Sequence, residues 1–253
     1  MSMSFDFLAE SISICFCAYN EEKNIAKCIE DALNFTEKHY PSAYEIIVID
    51  NASTDATPLI VKEYSKKNPQ IKLHRHEQNR LYSGSYNSAF SVSRGKYLAV
   101  IDGDYQHTCN DILKAIELIK IRQLAATYCW KKNRKDGFIR GLFSFGLKKI
   151  SQILIGHDLN DINGGYRVFD KSKIQMVSIV EKINTVGPEL LCELRKNNCD
   201  VGEIEVVHFP REKGEGMHGS IVPLLKNTKK FLIYLLKLRN KYGNKPKIKA
   251  YRQ

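Results

Sequence analysis

Short apolar runs and helically spaced segments alternate through the first 130 residues. Residues 12–17 form one apolar run, and 22–35 bring Ile25, Cys28, Ile29, Ala32 and Leu33 to one side of a helix. A β-branched run at 45–49 ends at Asp50; a helix is expected over 56–67 and a strand over 71–75. A polar loop, a helix near 83–93 and the strand 97–101, stopping at Asp102, complete the series. Strands this continuously apolar are covered on both faces, as in a parallel sheet flanked by helices. Binding sites in such sheets lie beyond the carboxyl ends of the strands, where Asn20, Asp50, Asp102 and Asp104 all fall.

The second half is less regular. A basic amphipathic helix is expected over 139–155, a polar turn over 158–167, a helix over 187–196 and a strand over 201–207. Residues 210–220 read as a glycine-rich charged loop, and no internal repeat is evident. A last helix over 221–241 repeats Leu224, Leu225, Thr228, Phe231, Leu232, Leu235 and Leu238 at three- and four-residue spacing. Lys226, Lys230, Lys237 and Lys241 share another of its faces. Such a helix suits an anionic membrane interface, and equally a docked helix with a solvated lysine edge.

With 253 residues, 43% hydrophobic and 26% charged, the chain is long enough for a full α/β core and excludes disordered or fibrous classes. No apolar run approaches the ~18–20 residues of a spanning helix, and no secretory leader is expected. The seven cysteines are scattered without a C-x-x-C pair, which argues against zinc or a disulfide framework and fits a reducing, cytoplasmic compartment. The net charge of +11 is concentrated at one end: from Leu224 onward there are ten basic residues and no acidic one, leaving the body near neutral. That distribution does not call for nucleic acid as a partner.

Three strand ends carry the candidate chemistry. In Asp102-Gly103-Asp104 the carboxylates at i and i+2 project to one side of extended backbone, while Gly103 lets the chain bend. Paired carboxylates suit a hard divalent cation bridging to phosphate oxygens, although an acidic Asp-Gly turn is the plainer alternative. Tyr19-Asn20-Glu21 after the first strand equally reads as a helix cap with Asn20 as N-cap. Within 50–55, Ser53 or Asp55 is placed to cap a helix, and Asp50 to accept hydrogen bonds from a base or ribose.

Taken in order, Tyr19-Asn20-Glu21, Asp50-Asn51-Ala52-Ser53-Thr54-Asp55 and Asp102-Gly103-Asp104-Tyr105-Gln106-His107 make the chain resemble the family 2 glycosyltransferases of GT-A fold. Their nucleotide-sugar half carries P-x-Y-N-E, D-D-G-S-x-D and D-x-D-x-Q at these places. Asp161-Ile162-Asn163-Gly164-Gly165-Tyr166-Arg167 is similar to the D-x-x-S-G-F-R element of the dolichol- or polyprenyl-phosphate sugar synthase branch. Arg211-Glu212-Lys213-Gly214 with Ser220 resembles that branch's R-x-x-G-x-S-K. The departures are Ala18 and Thr108 for prolines, Asn51-Ala52 for Asp-Gly, the five residues Glu215–Gly219 where the motif has one before the serine, and no lysine after Ser220; Lys213 or His218 is the candidate substitute for that lysine.

The resemblance implies an α/β GT-A domain over 1–223, with a Rossmann-like, mostly parallel sheet and helices on both faces. Residues 10–107 would be its nucleotide-sugar half and 108–223 its acceptor half, with 224–253 a basic helix and tail. Ala18, Tyr19, Asn20, Glu21, Asp50, Ser53, Asp102 and Gly103 would bind the donor. Asp102, Asp104 and Gln106 would hold Mg²⁺ or Mn²⁺ on its diphosphate. Arg140, Arg167, Arg211, Lys213 and Ser220 would meet phosphate, arginine being suited by its bidentate fork and permanent charge. Asp104, Asp161, Glu189 and Arg211 are the catalytic candidates, Asp161 or Glu189 serving as general base for an alcohol acceptor; a lipid phosphate needs none. The implied reaction is inverting transfer of a sugar from a UDP- or GDP-sugar to a polyprenyl phosphate at the membrane surface. The competing readings are transfer to a hydroxyl of a glycan, lipid or protein, and a catalytically silent binding module. Self-association is left open.

Overall fold

The computed structural model describes residues 10–131, 138–180, 185–209, 221–243 and 247–252, with the backbone alone for 138–144 and 221–227. The first half runs β1 (Ile12–Ala18), α1 (Ile25–His39), β2 (Tyr44–Asp50), α2 (Thr57–Lys67), β3 (Ile71–Arg75), α3 (Leu81–Val92), β4 (Tyr97–Asp102), α4 (Ile112–Arg122) and β5 (Ala126–Trp130). The second half adds α5 (Phe138–Ser151), which runs on as a π-helical turn at Gln152–Gly156, then β6 (Tyr166–Asp170) and α6 (Gly187–Lys196). It closes with β7 (Val201–Glu205), α7 (Ile221–Tyr242) and β8 (Tyr251–Arg252).

The eight strands form one sheet in the order β3-β2-β1-β4-β6-β5-β7-β8. Among the described residues, β6 alone runs against its neighbours, antiparallel to both β4 and β5. Alternate residues of each central strand enter opposite cores. Ile12, Ile14 and Phe16 of β1 and Ile46 and Val48 of β2 meet Ile25 and Ile29 of α1 on one face. On the other face, Cys15, Ile47, Leu98 and Val100 meet Tyr86 of α3, Leu190 of α6 and Leu235 of α7. Burial on both faces accounts for the unbroken apolar runs.

The chain leaves β1 in one direction toward β2 and β3 and returns on its other side with β4. Ala18 lies opposite Asp50, and Cys17 opposite Asp102, so three strand ends stand level around the crevice where strand order reverses.

One expectation for the second half is corrected. The polar turn over 158–167 already contains the start of a strand, because Tyr166 and Arg167 pair with Ile101 and Val100 of β4. A charged residue in a five-residue strand hides its pattern. Of the two settings left open for the last helix, α7 does dock, burying Tyr234, Leu235 and Leu238 against the domain. Beyond it, the Ile248 N–H donates to Gly156 C=O (3.0 Å) and β8 extends the sheet beside β7. No helix among the described residues is long and apolar enough to cross a membrane.

Candidate functional site

The loops after β1 and β2 are fastened to each other by side chains. Asn20 does not cap a helix; α1 begins after Asn24, and Asn20 sits in the left-handed region at φ +57°. Its N–H donates to Ser53 Oγ (2.9 Å), and its Oδ1 accepts from the Thr54 N–H (2.8 Å). The Glu21 N–H reaches Thr57 Oγ1 (2.9 Å), the Glu22 N–H reaches Asp55 Oδ2 (3.0 Å), and Glu22 Oε2 accepts from the Ala56 N–H (3.0 Å). Ser53 therefore serves this fastening, while Tyr19 stands exposed at the rim.

Asp50, the last residue of β2, is fully buried. Its Oδ1 accepts from the Ser53 N–H (3.0 Å), and its Oδ2 lies 3.1 Å from Arg75 Nε at the end of β3. Asn51, where the resembled motif has an acid, is a hub. Its amide donates to Asn79 Oδ1 (3.0 Å) and Leu81 C=O (3.2 Å), and its Oδ1 accepts from the Arg80 N–H (2.8 Å). Ala52 lies at φ +65°, a conformation that glycine adopts without Cβ strain, which gives the motif's glycine a physical reason.

Asp102 and Asp104 meet at the mouth of the crevice. Burial, then the negative charge of Asp104, pushes the Asp102 carboxyl up to about 7. Gly103 is held by its N–H on Cys17 C=O (2.9 Å), which fixes the bend between the two acids. Across from them Gly165 must be glycine, since a Cβ there would lie 1.7 Å from Asp102 Oδ2. Two repelling carboxylates at a protein rim are an all-oxygen donor set that a divalent cation would relieve, so the residues fit such an ion. Among the described residues no three His, Cys, Asp or Glu side chains gather around one point, so the remaining ligands would be water and substrate oxygens. Gln106 Nε2 is directed to Phe209 C=O (3.4 Å), and Asp104 Oδ1 accepts from the Gln106 N–H (3.2 Å).

The remaining candidates separate. Asp161 is half-buried in the loop before β6, its Oδ1 accepting from the Asn163 N–H (3.0 Å). Arg167 is corrected from an open phosphate grip to an internal strut with 1% of its surface exposed. It donates to Tyr86 Oη and Ile162 C=O (both 2.7 Å) and lies against the Tyr86 and Tyr128 rings. Glu189 is likewise corrected: it is fully buried and paired with Lys241 of α7 (3.0 Å), a poor setting for a base that must reach an acceptor. Arg140 falls on α5, where its side chain is not described; Arg211, Lys213, His218 and Ser220 lie outside the described residues.

Spacing gave no sign of an aromatic-basic group beside the acids. His107 packs against Tyr166 and His208 (ring centroids 5.6 and 5.2 Å), and Lys131 Nζ donates to His208 Nε2 (3.0 Å). Burial lowers His107 to about 4, so it is neutral at pH 7. Only the third dimension joins the ends of β4, β5 and β7 in this way.

The sequence profile of Glycosyl transferase family 2 matches residues 13–177. Dodecaprenyl-phosphate galacturonate synthase of Rhizobium johnstonii is 25% identical over 210 residues, 82% of this chain and 62% of that protein. Dolichyl-phosphate beta-glucosyltransferase of Dictyostelium discoideum is 26% identical over 213 residues, 77% of this chain and 65% of its own. The chain thus spans somewhat less than two thirds of either relative. A mannosyltransferase of Pyrobaculum calidifontis, solved with GDP-Man and Mn²⁺, superposes with a TM-score of 0.66 at 16% identity, covering 94% of this chain and 68% of that one. That likeness shows a shared fold, the GT-A arrangement of α/β layers.

Proposed function

The chain belongs to glycosyl transferase family 2, and we propose that it transfers a sugar from a UDP- or GDP-sugar to a polyprenyl or dolichyl phosphate, inverting the anomeric carbon. The observation that carries this reading is the Asp102–Asp104 pair at the end of β4, level with the end of β1 at the crevice where strand order reverses. Asp102 and Asp104 would hold Mg²⁺ or Mn²⁺, which there would supply positive charge against a departing nucleoside diphosphate, a contribution of about a few kcal/mol. The fastened loops of 19–22 and 50–57 present a rigid nucleoside seat, with Tyr19 at the rim and the Asp50–Arg75 pair at its floor. A lipid phosphate is already anionic and needs cations to steer it rather than a base. Arg140, Arg211, Lys213 and Ser220 are proposed for that task, and Asp161 remains the candidate base should the acceptor be a hydroxyl.

The relatives' acceptors, as their names give them, favour the lipid phosphate. Membrane contact would come from outward side chains beside the docked ones: Ile233 and Leu236 of α7 and Ile153 of the neighbouring π-helical turn are exposed, among Lys229, Lys230, Lys237 and Lys149. Incubation with labelled UDP- and GDP-sugars, Mn²⁺ and polyprenyl phosphate tests the proposal. A mild-acid-labile lipid-linked sugar that disappears with chelator is expected; transfer only to hydroxyl acceptors, or no donor turnover, would overturn it.

A further inference from the structure

Asp102 is gripped from a direction that no strand-end motif predicts. Tyr82, in the first turn of α3, donates its phenol to Asp102 Oδ1 at 2.5 Å, while the other carboxylate oxygen rests against Gly165. The ring is itself fixed, edge-on to Tyr86 at 5.1 Å, and Tyr86 in turn takes the Arg167 hydrogen bond.

The backbone that aims Tyr82 is strained. Leu81 lies at φ +60°, a left-handed conformation in which a leucine is rare and costly. It is held there from both sides: its N–H donates to Asn79 Oδ1 (2.9 Å) and its C=O accepts from Asn51 Nδ2 (3.2 Å). Asn51 belongs to the loop after β2, so a continuous path runs from the proposed nucleoside seat through Asn51, Leu81 and Tyr82 to Asp102. Relaxing Leu81 would swing the start of α3 and withdraw the phenol. Strain over-determined by polar contacts, one residue from a site side chain, is what a positioning device requires.

We propose that Tyr82 is a positioning residue: with Gly165 it clamps the Asp102 carboxylate in the orientation that receives the divalent ion, and the strained Leu81, tied to Asn51, sets its aim. This rests on the reading of Asp102 and Asp104 as the ion's ligands.

The test is Mn²⁺ titration of the full chain with UDP present, followed by electron paramagnetic resonance, alongside melting temperatures. Tyr82→Phe keeps the ring and removes the donor, and should weaken Mn²⁺ binding about 10-fold with the melting temperature nearly unchanged. Tyr82→Gln, which returns a donor, should recover part of that loss. Leu81→Gly takes the same left-handed φ without Cβ strain and should hold or raise the melting temperature with Mn²⁺ binding kept, whereas Asn51→Ala, which releases the Leu81 carbonyl, should weaken Mn²⁺. Wild-type affinity in both Tyr82→Phe and Asn51→Ala would overturn the proposal even if Asp102→Ala and Asp104→Ala lose the ion. A wild-type chain that binds no Mn²⁺ would instead overturn the reading on which it rests.

Discussion

On the donor side of the crevice, polar residues are spent on joining loops; on the far side of β6, charged residues are sunk into the domain as internal struts. Asn20, Ser53, Thr54, Asp55 and Thr57 form a lattice of short hydrogen bonds, each worth about 1 kcal/mol net. Beyond β6, Arg167 sits between tyrosines, Glu189 pairs with Lys241, and Glu203 accepts from the Asn160 amide and pairs with Arg252. Losing a donor-side bond loosens a loop. Losing a strut's partner leaves a buried charge, several times costlier. Several described motif residues that read as chemical are therefore held in structural contacts on both sides, and Asp102 and Asp104 are the pair proposed to meet a cation.

The sharpest way to break this contrast is Asp104→Ala. If Asp104 is chemical rather than architectural, metal-dependent turnover should fall by about 10³-fold or more while the melting temperature shifts little. A variant that keeps its rate, or one that unfolds, would place Asp104 with the lattice.

A second variant separates the docked face of α7 from its outward one. Ile233→Ser with Leu236→Ser removes two exposed side chains and should lower binding to anionic vesicles by about 10-fold or more without changing stability. Cosedimentation with phosphatidylserine vesicles measures it; unchanged binding would leave α7 a purely internal element.

Acid should probe the far side through His157. This ring is fully buried, its Nδ1 accepts from the Leu159 N–H (3.2 Å), and burial lowers it to about 4. A histidine depressed in the folded state stabilises fully above its unfolded value near 6.5 and loses that contribution as pH falls toward 4. About 3 kcal/mol should disappear across that window. Urea midpoints between pH 7 and 4.5 should show a steeper fall in the wild type than in His157→Asn, and equal slopes would remove His157 from the account.

The smallest effect belongs to the donor lattice itself. Ala52→Gly relieves a left-handed alanine and should raise stability by up to about 1 kcal/mol, offset in part by unfolded-chain entropy. A loss of stability would mean that the methyl group packs usefully in this loop.

Much of the molecule was legible in the residue order. The expected strand at 71–75 coincides with β3, those at 12–17, 45–49 and 97–101 fall within β1, β2 and β4, and the last helix differs from α7 by one residue. Apolar periodicity is local, so neighbours along the chain suffice to report it. The same holds for the acids at strand ends, because a strand's end and its carboxylate are written together. Partnership between distant residues was beyond that reach. Tyr82 meets Asp102 across 20 positions and Gly165 meets it across 63, and Arg167 looks like a turn residue until β4 and β5 close around it. Residue order alone thus set the elements and the candidate acids, while the packing of the sheet decided which charges became buried struts. The reason is that burial, unlike periodicity, depends on what the rest of the chain brings alongside.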